Sequence, residues 1–88
     1  MDPRVKKAVA AKIDEAISNA DEVYRIQSKL GIAGGADFAF GIAIGRIYNS
    51  FHYQTRRILG RNATAAEFSE FLSLLSSRTP EIRRAFSK

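Results

Sequence analysis

Eighty-eight residues with a net charge of +5 and 45% hydrophobic content suit one small folded domain, residues 1–88, and exclude a disordered chain on composition. No cysteine is present, so disulfides and cysteine-ligated zinc are excluded as supports, and no apolar run approaches the ~20 residues of a membrane span. A chain this short buries only about 60–65% of its unfolded surface, which leaves good helix packing or self-association to hold it.

Asp2 and Pro3 read as the cap and first position of a helix, because proline there lacks only an N–H that has no partner anyway. Val5, Val9, Ile13, Ala16, Ile17, Ala20, Val23, Tyr24 and Leu30 then recur with a 3.6-residue period. One long first helix is expected. Gly31 follows as its left-handed ending, with Ile32 as the apolar contact of a Schellman motif. The opening from Met1 to Lys7 has charges but no apolar stretch behind it, so a cytoplasmic protein without a signal peptide is expected.

The link Gly31 to Ala36 is glycine-rich and short enough to reverse the chain. It matches neither the dinucleotide nor the P-loop spacing, so no nucleotide cofactor is expected. Asp37 to Gly60 is the expected second helix, with Asp37 as its cap. Its first part also alternates like a strand: Phe38, Phe40, Ile42 and Ile44 against Ala39, Gly41, Ala43 and Gly45. Helix is preferred, because no second strand exists to pair with and the period beyond Ile44 is helical. Phe40, Ile44, Ile47, Phe51 and Ile58 then form the core side. Gly41 and Gly45 form a small-residue ridge expected to pack closely on Ala8, Ala16 and Ala20 of the first helix.

Thr64 to Glu67 has the pattern of a capping box, and Phe68, Phe71, Leu72 and Leu75 form the stripe of a third helix. Thr79 and Pro80 read as the start of a short fourth, docked by Ile82 and Phe86. The expected fold is all-α: a long antiparallel helical hairpin with two shorter C-terminal helices packed across it.

Charge placement carries the functional reading. Residues 1–44 hold six basic and six acidic residues; residues 45–88 hold eight basic and three acidic, and seven of those eight cations are arginine. The planar guanidinium suits phosphate, so an anionic partner is indicated. At about 100° per residue, Arg46, Asn49, Tyr53, Arg56 and Arg57 share the side of the second helix opposite its core, over about 16 Å of axis, and Arg61 follows its end. Arginines for phosphates, an amide for base edges and an aromatic for stacking make a nucleic-acid-binding surface, RNA and DNA not distinguished. The competing reading places Tyr53 under the C-terminal helix and pairs the arginines with Glu67, Glu70 or Glu81; the charge asymmetry tips the balance. The alternative function is a helical protein–protein interaction or assembly module with no catalytic activity.

Enzyme chemistry is not expected. His52 is the only histidine, no cysteine thiolate exists, and no histidine–carboxylate spacing suggests a metal. No small-molecule substrate is indicated. A homodimer is expected: a first helix of about 28 residues would be about 42 Å long, beyond the ~30 Å of a small domain. Val5 and Val9 would stand uncovered on the excess, and two hairpins packed face to face would cover them, with Phe38, Phe40 and Ile42 adding apolar area.

Overall fold

The computed structural model describes residues 1–87, and among them are four helices and no strand. They are α1 (Pro3–Ser18), α2 (Ala20–Lys29), α3 (Gly35–Leu59) and α4 (Ala65–Ala85). The caps written in the sequence are made. Asp2 accepts the Arg4 N–H at 2.8 Å with Pro3 behind it. Thr64 Oγ1 accepts from the Glu67 N–H at 3.1 Å while the Glu67 carboxylate accepts from the Thr64 N–H at 2.8 Å, a complete capping box. After α2, Gly31 takes φ +68°. Ile32 N–H then bonds to the Gln27 carbonyl and Gly31 N–H to that of Ser28, the two bonds of a Schellman ending.

The partition of the helices differs from expectation at two places. The expected long first helix is two helices, divided at Asn19. An asparagine side chain competes for helix hydrogen bonds, and here Asn19 Nδ2 donates to the Glu15 carbonyl beside the regular bond from its own N–H, after which the Glu22 N–H takes the Asn19 carbonyl in a tighter i→i−3 bond. The two shorter C-terminal helices are one, because α4 runs through Pro80. Thr79 is not a cap; its hydroxyl donates back to the Leu75 carbonyl at 2.9 Å. Proline removes the bond to the carbonyl of Ser76, which lies on the exposed side of the helix. Ile82 and Phe86, almost fully buried, hold the segment beyond it in helical register against the core. The third helix also begins earlier than expected, at Gly35, so Asp37 lies in the first turn instead of capping it.

The core side of α3 is Ala39, Ala43, Ile47, Phe51 and Thr55, a ridge with spacing four. Ile47 and Phe51 of the expected Phe40–Ile58 stripe lie on it, while Phe40, Ile44 and Ile58 are half-buried at its edges. This resolves the alternating segment. Ala39 and Ala43 face inward, while Phe38 and Ile42 on one flank and Phe40 and Ile44 on the other are half-buried. Large residues on either side of a small-residue ridge produce a period of two within a helix. The close-packing ridge is therefore made by the alanines. Gly41 and Gly45 are exposed, and a Cβ on either would meet nothing within 4 Å, so the expected approach of α1 to these glycines is not what the structure shows.

Farther along α3 the ridge changes from small to large. Phe51 stacks on Phe71 of α4 with ring centroids 4.4 Å apart, and Phe68 closes over the pair. Full burial of such side chains contributes about 1.5–3 kcal/mol each. Val5 and Val9 of α1 are 1% and 0% exposed in the single chain, so the uncovered end expected of the first helix does not exist. α4 lies over that end. Arg78 donates to Asp14 at 2.7 Å, and the Met1 ammonium pairs with Glu70.

Candidate nucleic-acid interface

α3 places the predicted residues by helical register alone. Arg46, Asn49, Tyr53, Arg56 and Arg57 all reach its surface; Tyr53 is 54% exposed and Asn49, Arg56 and Arg57 are exposed. Tyr53 therefore does not pack under the C-terminal helix. Arg56 forms no ion pair with a described residue, and Arg57 has only the neutral Gln54 amide oxygen, at 2.9 Å.

Three residues absent from the sequence reading join this group. A cleft of about 380 Å³ is lined by Lys12 of α1 together with Arg46, Asn49, Ser50, Tyr53 and Gln54 of α3. A second, of about 330 Å³, shares Lys12, Ser50 and Gln54 and adds Ala8, Ala11, Glu15 and Arg57. Together they form a channel between the two helices with Ala8 and Ala11 as its low wall. Ser50 and Gln54 were beyond reach of a charge count, and Lys12 belongs to the half of the chain whose charge sums to zero. Its place beside Arg46 depends on the register of α1 against α3.

Glu15 moderates the channel. Lys12 donates to its carboxylate at 3.2 Å and Arg46 at 3.4 Å. All three side chains are partly exposed, so these are weak pairs, each of about 0–1 kcal/mol, that a phosphate can displace. Three cations line the two clefts, Lys12, Arg46 and Arg57, with Glu15 as their one lining carboxylate, and Arg56 lines neither.

Arg61 is placed differently from the other predicted residues. It lies in the link after α3, where Gly60 ends the helix at φ +69°. Its guanidinium grips both carboxylate oxygens of Glu67, at 2.7 and 3.2 Å. That grip, with the Thr64 N–H, pulls the Glu67 carboxyl down to about 2 and raises Arg61 further above its ordinary value. Any phosphate at Arg61 has to compete with a bidentate carboxylate that also caps α4.

His52 lines neither cleft. It is half-buried in the aromatic layer between α3 and α4, edge-on to Tyr48 at 4.8 Å and parallel to Phe68 at 6.3 Å. Among the described residues no group of three or more histidine, aspartate or glutamate side chains is placed to hold a metal, and no helix is long and apolar enough to cross a membrane. No protein-family model, no curated protein and no solved structure matches the chain.

Proposed function

We propose that this protein is a non-catalytic nucleic-acid-binding module that holds a phosphate backbone along the channel between α1 and α3. In this reading α1 and α2 form one arm, and α3 the other, of an antiparallel hairpin whose face away from α4 is the binding face. The observation that carries the proposal is the cleft itself: Lys12 and Arg46 at its walls, Asn49 and Ser50 offering hydrogen bonds, and an exposed Tyr53 ring beside it. Cations fix the backbone, and the ring offers a stacking platform that every base can use. Arg56 and Arg57 extend the charged path, and Arg61 contributes least because Glu67 already occupies it.

The test is fluorescence anisotropy with mixed-sequence RNA and DNA oligonucleotides across a salt series. Binding is expected to weaken steeply with salt, as counterion release requires. Arg56→Ala with Arg57→Ala is expected to lower affinity and to flatten the log–log salt slope by about 1.4 for a single strand. Lys12→Ala should flatten it further, while Arg61→Ala should leave it almost unchanged. Absence of binding to either oligonucleotide at low salt overturns the proposal.

A further inference from the structure

The outer side of α2 and its C-cap carries two neighbouring exposed aliphatic residues, and Leu30 is the most exposed large apolar residue among those described. Leu30 is 67% exposed and Ile26 is 45% exposed, one helical turn apart, where a surface helix ordinarily carries polar residues. They line an open depression of about 720 Å³ with Glu22, Arg25, Ser28 and Lys29, all from α2. Neither Glu22 nor Lys29 makes an ion pair with a described residue. The strip is held firmly at its far end, because the Schellman bonds of Gly31 and Ile32 fix the backbone beside Leu30.

We infer that this strip of α2 docks a second copy of the same chain through a two-fold, antiparallel pairing of α2 with α2. The strip is complementary to itself. A two-fold axis through Ile26 sets each residue against the one equally far beyond residue 26 on the other copy. Ile26 then meets its own counterpart, and Glu22 falls against Leu30 and its neighbour Lys29, ~6 Å along the axis. Both copies make the same exchange, so the Ile26–Ile26 contact at the centre is flanked by two Glu22–Lys29 pairs, one at each end. Arg25 lies about 100° round the helix from Ile26 and stays at the rim. A closed two-fold requires this self-complementarity, and a strip carrying one sign of charge would forbid it.

This pairing replaces the ground on which a homodimer is expected from the sequence. Val5 and Val9 are already covered within one chain. Ile26 and Leu30, at the end of α2, remain exposed, as do Tyr48 of α3 and Leu72 of α4, and Ile26 and Leu30 lie outside the clefts between α1 and α3. A contact made by one ten-residue helix belongs to the small, reversible class of interfaces, below ~1,200 Å².

Sedimentation and light scattering on the full chain, freed of nucleic acid, from micromolar to about 1 mM cover the range of such complexes. The average mass is expected to rise from the 9.8 kDa of one chain toward twice that value. Lys29→Glu alone and Glu22→Lys alone are each expected to weaken association about tenfold, because each sets like charges together at both ends. An equimolar mixture of these two variants is expected to recover it, since both ends then carry opposite charges. Ile26→Ser, whose position is half-exposed in the monomer, should abolish association while circular dichroism and melting stay as in the wild type. A mass constant at one chain throughout, or association indifferent to both charge reversals, or a mixture no tighter than its components, overturns the inference.

Discussion

α3 and α4 each carry three arginines, and they use them in opposite ways. In α4, Arg78 donates to Glu81 at 2.9 and 3.1 Å and to Asp14 of α1 at 2.7 Å. Arg83 bonds Asp37 of α3 and lies 3.8 Å over the ring of Phe40. Arg84 adds to the field, led by the Arg78 hydrogen bonds, that lowers the Glu81 carboxyl. In α3 the arginines face neutral groups, shared carboxylate or solvent: Gln54 for Arg57, Glu15 with Lys12 for Arg46, and no described ion-pair partner for Arg56. Arg78 and Arg83 of α4 join helices, whereas Arg56 and Arg57 of α3 are left outward. A net charge cannot separate the two, because a cation that closes a helix contact and a cation that awaits a ligand count alike.

This difference can be broken by removing one cation at a time. The largest effect on folding is expected at Arg78, whose side chain is only 20% exposed and which ties α4 to α1. Arg78→Ala should lower the unfolding free energy by about 2 kcal/mol, since it strands hydrogen bonds to two carboxylates. Urea denaturation checks it, and nucleic-acid affinity should not follow. The cap of α4 comes next: Thr64→Ala should cost about 1 kcal/mol in the same measurement.

The partner of that cap sharpens the comparison through pH. Glu67 has its pKa lowered from 4.5 to about 2, first by Arg61 and then by the Thr64 N–H. A lowered carboxyl pKa stabilises the fold fully above the unfolded value and loses that contribution as pH falls through the folded one. Thermal midpoints should therefore fall between pH 4.5 and about pH 2, and Glu67→Gln should flatten that part of the curve.

Gly41→Ala tests the outward side of α3 from its apolar end. Nothing lies within 4 Å of an added Cβ, and alanine is the better helix former, so stability should rise by about 0.5–1 kcal/mol. A loss would mean that another backbone does approach there. The smallest change in folding is expected for Arg56→Ala with Arg57→Ala, within about 0.5 kcal/mol, since neither residue forms an ion pair with a described residue. A loss approaching that of Arg78→Ala would erase the distinction between the two helices.

Short-range features of this fold were legible in the residues themselves. Asp2 with Pro3, Thr64 with Glu67, and Gly31 with Ile32 each act within a few residues, and the backbone has few alternatives that satisfy the same donors and acceptors. Helix existence followed from periodicity for the same reason. At Pro80 the local signal points the wrong way, because a proline after a threonine is locally a good helix start, and only the burial of Ile82 and Phe86 makes one continuous helix the lower-energy choice.

The sequence by itself determined that the chain is helical, the caps at Asp2 and Thr64, the ending at Gly31 and the exposed side of α3 that carries Arg46, Asn49, Tyr53, Arg56 and Arg57, since these depend on spacing within one short segment. Tertiary structure alone decided which side of the alternating segment is inward, that Ala39 and Ala43 make the close approach, and that Lys12 stands beside Arg46. It also decided that Arg61, Arg78 and Arg83 are engaged by carboxylates while Arg56 pairs with none among the described residues. The physical reason is range. Periodicity reports one helix against an average surroundings, whereas ion pairs and ridge packing depend on the rotation of two helices about their own axes, where a turn of 100° exchanges one residue for its neighbour.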